Sequence, residues 1–138
     1  MVVRPHYDSV EVFMIHLANS EKNSVQAVVR QHSVISDLLP ESGGDDYGMN
    51  PHEILETALA ACTSLTVQMY ARRKNINVQD IKVEVSTVSE GAQTVISRKI
   101  ELVGTFTVEE KKRLLEIADK CPIHKLLESH VTIQNESF

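Results

Sequence analysis

Asn50-Pro51-His52-Glu53-Ile54-Leu55-Glu56-Thr57-Ala58-Leu59-Ala60-Ala61-Cys62-Thr63-Ser64 opens the longest helix this sequence can form, and the rest of the chain is read around it. Asn50 is a good N-cap, because its side-chain oxygen can accept an orphan first-turn N–H. Pro51 fits the first helical position, where its missing N–H costs nothing. From there Ile54, Leu55, Ala58, Leu59, Ala61, Cys62, Leu65, Thr66, Met69 and Tyr70 recur at helical spacing as far as Arg73. At 1.5 Å per residue such a helix is a rod of roughly 35 Å. The small side chains of Ala58, Ala60, Ala61 and Thr63 let neighbours approach closely, so its middle is expected to be buried. The basic cluster Arg72-Arg73-Lys74 falls where the helix should end, where positive charge complements the helix dipole.

Upstream, apolar residues in the stretch from Ser9 to Ala18 lie on both faces of an extended pattern, which predicts a strand. Ser24 to Ile35 supplies Val25, Ala27, Val28, Val29, Val34 and Ile35 for one or two more. The short connections predict an antiparallel meander. Pro40 to Asn50 concentrates Gly43, Gly44 and Gly48 with two aspartates and predicts the one long loop. Downstream, Asp80 to Glu90 and Thr94 to Thr107 alternate apolar and polar residues about Gly91-Ala92-Gln93, a β-hairpin pattern. Thr107-Val108-Glu109-Glu110 is a capping box that opens a helix ending near Lys120. Pro122 then starts a second short helix through Glu128, with Cys121 at its N-cap, and Val131 to Gln134 is expected to close the chain as a strand. The order βββ-α-ββ-αα-β lacks regular β-α alternation and predicts an α+β fold with mainly antiparallel pairing in a single domain.

The chain has 138 residues, 42% of them hydrophobic, with 14 Lys+Arg against 19 Asp+Glu and a net charge of −5. Such a balance disfavours a nucleic-acid partner, because neutralising phosphates requires clustered positive charge. No apolar stretch reaches the ~18 residues of a membrane span, and the segment Met1 to His6 lacks the pattern of a signal peptide. A cytoplasmic location is the expectation, and in that reducing compartment a transient disulfide is more natural than a structural one.

The only two cysteines are Cys62, within the long helix, and Cys121, in Lys120-Cys121-Pro122-Ile123-His124-Lys125. A thiol at the opening of a short helix, paired with one in mid-helix, suggests a redox couple. Nucleophilic chemistry belongs to the thiolate, so a reactive cysteine needs surroundings that stabilise negative charge. Cys121 has a helix N-terminus with Lys120, His124 and Lys125 close in sequence. Cys62, flanked by Ala58, Leu59 and Leu65, is expected to have a raised pKa unless a cation arrives from elsewhere in the fold. The plain alternative is that Cys62 is a small core hydrophobe. Cys121-x-x-His124 could be half a metal site, but zinc wants three or four ligands and the other histidines form no matching cluster, so no metal or cofactor is expected.

The run from Gly48 to Ser64, followed 59 positions after Cys62 by Cys121-Pro122-Ile123-His124-Lys125, resembles the OsmC/Ohr family of thiol-dependent peroxidases. The Gly43-Gly44-Asp45 loop and the order of elements agree with it. The resemblance implies antiparallel sheets packed on a long central helix, an intertwined homodimer with the two long helices at its centre, and an active site near the subunit interface. It implies Cys62 as the peroxidatic nucleophile, Cys121 as the resolving thiol, peroxide as substrate and an external dithiol as reductant. Met49, His52, Leu65, Met69 and Phe106 are the side chains it offers for substrate binding. In the best-studied members a glutamate ten positions before the nucleophile and an N-terminal arginine complete the site.

Here the tenth position back is His52, and the acid is Glu53, nine back. Nine residues rotate about 180° on a continuous helix, so Glu53 reaches the thiol only through local unwinding or from a partner subunit. Its other role is that of a first-turn anion favoured by the dipole. For the arginine, Arg30 on a predicted strand is the choice and Arg4 the alternative. His32 and Asp37 match a family pattern without an assignable role. Two further readings stay open: a non-enzymatic dimer that binds a small lipophilic molecule in a central cavity, and a redox sensor that forms the disulfide without turnover.

Overall fold

The structure is a computed structural model that describes residues 14–17 and 23–137. Its contacts gather into two compact units, 1–55 and 56–138.

In the first unit, β1 (Met14–Leu17), β2 (Val25–Val29) and β3 (His32–Ser36) form an antiparallel meander with Met14 opposite Val28 and Val29 opposite His32. The rest of the strand expected from Ser9 lies outside the described residues. Arg30 is exposed and stands in the two-residue turn between β2 and β3, at φ +54°, rather than on a strand. A two-residue hairpin needs positive φ at its turn to follow the twist of its strands. Beyond β3, Asp37 is buried, and its carboxylate accepts the N–H groups of Leu38 (2.7 Å), Asp45 (3.2 Å) and Tyr47 (3.1 Å). One side chain thereby replaces the sheet ladder that the loop lacks. The loop is not wholly irregular, since Pro40–Ser42 forms a 3₁₀ turn. At Gly44 a Cβ would strike the Leu38 carbonyl, which explains the glycine there.

Helix α1 runs unbroken over Pro51–Arg73, as the spacing predicts. Asn50 and Glu53 close a reciprocal cap: the Glu53 N–H donates to Asn50 Oδ1 (3.0 Å), and the Asn50 N–H donates to Glu53 Oε2 (2.8 Å).

In the second unit, β4 (Asn77–Ser89) and β5 (Val95–Thr105) form the long hairpin, with Val83 opposite Ile100 and Val85 opposite Arg98. Ile81, Val83 and Val85 on β4 and Ile96, Arg98, Ile100 and Leu102 on β5 occupy the more buried face. That face packs on α1 and on α2 (Val108–Ala118), joining Val67, Ala71, Leu102, Leu114 and Ala118 in one buried cluster. Leu114 and Val67 have no exposed surface, and burying each such side chain stabilises the fold by about 1.5–3 kcal/mol. The register shifts between Thr87 and Ser89, and there Glu56 Oε1 accepts the Thr87 N–H at 2.7 Å, tying α1 to the irregular end of β4.

The capping box at Thr107 forms with both of its bonds, and α3 (Pro122–Glu128) follows α2 across a short turn with Cys121 as its N-cap. The strand expected over Val131–Gln134 does not form: this stretch pairs with nothing as a strand and leaves Val131 and Ile133 exposed. A strand exists only through its ladder, and no β edge among the described residues takes this one. Among those residues no helix is long and apolar enough to cross a membrane.

Candidate active site

The second unit brings the two cysteines together. Cys62 projects from α1 on the flank between its buried stripe, Leu59, Thr63, Val67 and Ala71, and the exposed face that carries Leu65 and Met69. It is therefore partly buried, whereas Cys121, under the α2–α3 turn, is fully buried. Both are free thiols, and the Cys62 sulfur lies within hydrogen-bonding reach of the Cys121 sulfur, the backbone of Ile123 and the side chain of Thr66.

Burial pushes the Cys62 thiol above its usual pKa, and the neighbouring Cys121 sulfur pushes it the same way. The Ile123 backbone and Thr66 pull it back, without reversing the sign. None of these influences is a cation, so the rise expected of a mid-helix thiol is what the fold produces. The start of α3 was expected to serve Cys121. The Cys121 side chain makes no cap bond, and it is Cys62 whose charged form the Ile123 backbone favours, from the second residue of the helix.

A positively charged group that the sequence reading missed, Arg98, bonds to the two segments that carry the cysteines. Its guanidinium is largely buried. It donates through Nη1 to Thr63 Oγ1 (3.1 Å) and the Ala118 carbonyl (3.3 Å), and through Nη2 to Asp119 Oδ1 (2.6 Å). The signal was available in the alternation of β5, where Arg98 takes a turn in the inward series Ile96, Ile100, Leu102. A charge in such a position is costly unless it is paired and hydrogen-bonded, as this one is.

A groove of about 440 Å³ adjoins this region, lined by Leu59, Ile96, Arg98, His124, Leu127 and Glu128 among others. His124 Nε2 stands 3.1 Å from Glu128 Oε1 across its wall. Leu65, Met69 and Phe106, expected to bind substrate, are not among the residues that line this groove. Leu65 lines a separate groove of about 400 Å³ with Gln68 and Arg72, and Met69 is exposed on α1. Phe106 packs against the buried cluster. Met49 and His52 belong to the first unit, where Met49 bridges to Ser36 and His52 is exposed in the first turn of α1. The Glu53 carboxylate is engaged in its cap, and the continuity of α1 removes the local unwinding that would turn it toward Cys62.

Residues 43–136 match the sequence profile described as OsmC-like protein, a span that contains both cysteines and every residue that holds them. The chain belongs to this OsmC-like family. Among solved structures, a Psychrobacter arcticus 273-4 protein named for osmotic stress induction and a detoxification response is similar over 88% of this chain and 90% of its own, at 19% identity and TM-score 0.72. The OsmC like protein of Mycoplasma pneumoniae is similar over 84% and 86%, at 22% identity and TM-score 0.66. The organic hydroperoxide resistance protein OhrB of Bacillus subtilis is similar over 87% and 93%, at 17% identity and TM-score 0.54. At these identities the likeness is one of fold. No curated protein matches the sequence.

Proposed function

We propose that this OsmC-like protein is a thiol-dependent peroxidase acting on organic hydroperoxides or hydrogen peroxide. One observation carries the reading: two reduced thiols, one partly open on α1 and one buried at the N-cap of α3, stand within reach of each other. The Cys62 thiolate attacks a peroxide oxygen, the O–O bond breaks, and the leaving alkoxide takes a proton to become an alcohol. Cys62 is left as a sulfenic acid. The Cys121 sulfur then attacks it, the S–O bond breaks, and water leaves with the Cys121 proton. An external dithiol supplies two electrons and two protons to reopen the disulfide. OhrB of Bacillus subtilis, an organic hydroperoxide resistance protein of similar fold, supports the substrate class.

With its pKa raised, Cys62 holds little thiolate at neutral pH, so the reading calls for a cation that is not among the causes of that shift. Arg30, exposed at its turn, is the side chain we assign to that task. The working unit is a homodimer in a reducing compartment such as the cytoplasm, with no nucleic-acid or membrane partner. The test is to add cumene hydroperoxide to reduced protein and count thiols. Wild type should lose two per chain, and Cys62→Ser none. Equal loss in both would refute Cys62 as the nucleophile.

The raised pKa also favours a second reading, a redox sensor that closes the same disulfide slowly and without turnover. Sustained peroxide consumption with excess dithiol distinguishes the enzyme from the sensor.

A further inference from the structure

We infer that Arg98 is a positioning residue for the thiol pair: from β5 it clamps α1 to the α2–α3 turn and sets the separation across which the Cys62–Cys121 disulfide closes. The inference rests on reading those cysteines as a redox couple.

The three acceptors of Arg98 come from the two segments that carry the sulfurs. Thr63 is the immediate neighbour of Cys62 on α1 and is fully buried. Ala118 and Asp119 precede Cys121 by three and two residues. The Ala118 carbonyl accepts both Arg98 Nη1 and, at 3.2 Å, the Cys121 N–H, so the guanidinium and the Cys121 backbone share one anchor. A planar guanidinium can hold three acceptors on two sides at fixed angles, whereas a lysine ammonium is a single point on a flexible stem. Asp119 stands at the exposed end of the clamp, with its side chain 68% exposed against 12% for Arg98. That anion neutralises Arg98, so the residue acts on geometry rather than by stabilising a thiolate.

Geometry is what the second half of the reaction depends on. A disulfide forms without strain only when its Cα atoms lie within about 4.4–6.8 Å of each other. The rate of a step between two held groups falls steeply when they are displaced, by as much as ~100-fold for ~1 Å. Releasing Arg98 frees the turn that carries Cys121 from the helix that carries Cys62. Oxidation of Cys62 should survive this release, and closure should not.

Diamide tests the clamp independently of peroxide chemistry. The Cys62 thiolate adds to its N=N bond, then the Cys121 thiol attacks Cys62 sulfur, the S–N bond breaks, and the diazene leaves as a hydrazine carrying two electrons and two protons. Bridge formation is followed in full-length protein by alkylation quench and mass spectrometry. Arg98→Met should slow closure by about 10-fold or more, with Arg98→Lys in between, and mixed disulfides of Cys62 should accumulate when glutathione is present. In a Cys121→Ser background the alkylation rate of Cys62 should be the same with Arg98 or Met at position 98. Closure at the wild-type rate in Arg98→Met would overturn the inference, as would an equal slowing of Cys62 alkylation, which would make Arg98 an activator of the thiol. Should Arg98→Met not fold, Asp119→Ala, which removes the acceptor at an exposed site, decides: slower closure supports the clamp and an unchanged rate overturns it. Wild type that bridges with diamide but ignores hydroperoxides refutes the peroxidase and leaves the clamp standing. Wild type that never bridges ends the inference.

Discussion

The backbone of Ile123 lies close enough to the Cys62 sulfur to favour its charged form, although Ile123 belongs to the helix that Cys121 opens. The consequence is a division of labour between the thiols. The cysteine on the long helix has the backbone neighbour that favours its charged form, and the cysteine at the turn is fully buried.

That arrangement predicts how Cys62 responds to loss of its neighbour. Burial is the largest cause of its raised pKa, and the Cys121 sulfur adds to it by hydrogen bond and by charge. Cys121→Ala removes the second cause and keeps Ile123 and Thr66, so the pKa of Cys62 should come down. The measurement is the pH dependence of iodoacetamide alkylation at Cys62 in reduced protein. A midpoint that stays put or rises would contradict the assigned causes.

A raised thiol pKa also has a stability consequence. The folded chain holds the Cys62 proton to higher pH than the unfolded chain does. The stabilisation is therefore complete below the unfolded thiol's pKa of about 8.5 and is lost as pH rises through the folded value. Urea midpoints of wild type should fall above pH of about 8.5 by more than those of Cys62→Ser. Parallel curves for the two would rule this out.

Much of the fold is legible in the sequence because its signals are local. Asn50-Pro51 and the basic stop at Arg73 bound α1, Thr107 and Glu110 open α2, and Pro122 starts α3, each signal lying within a few residues of the end it marks. What escaped is non-local. Asp37 organises a loop by reaching amides up to ten residues away, and Arg98 finds its partners 20 to 35 residues off in either direction. Both are charged or acidic residues in buried positions. Such positions announce that a partner exists without saying which. The stretch from Val131 fails for the same reason, since alternation predicts a strand but not the edge that would pair with it.

Asp37 gives a prediction confined to the first unit. Three N–H groups are bound to it, and Asp37→Ala removes these bonds to a charged acceptor, worth about 1.5–3 kcal/mol each. Amide exchange at Asp45 and Tyr47 should quicken, with the protection of β5 unchanged. Unaltered exchange at both amides would show that the carboxylate is not what holds the loop.

Glu53 separates capping from catalysis. Its carboxylate oxygen accepts the Asn50 N–H, a role that the amide oxygen of Gln fills as well. Glu53→Gln should therefore keep both thermal stability and peroxide turnover near wild type, and Glu53→Ala should cost about 0.5–2 kcal/mol of stability. A large loss of turnover in a stable Glu53→Gln protein would return Glu53 to the catalytic set.

The face of α1 opposite the core remains to be covered. Leu65 is 58% and Met69 52% exposed, with the small residues Ala58 and Ala61 on the same side, on a helix whose apolar residues run all the way round. A helix of that kind belongs in an interior, and small residues let a second helix pack at close range. In the proposed homodimer this face meets its copy. Leu65→Asp and Met69→Asp place two carboxylates, one from each chain, in a dry contact, where desolvation and like-charge repulsion oppose association together. Light scattering behind size exclusion should show wild type as a dimer and each variant shifted to monomer. Val108→Asp, at an 82% exposed site that begins α2, should leave the dimer intact. A wild-type monomer, or variants that dimerise as tightly as wild type, would place the interface elsewhere or remove it.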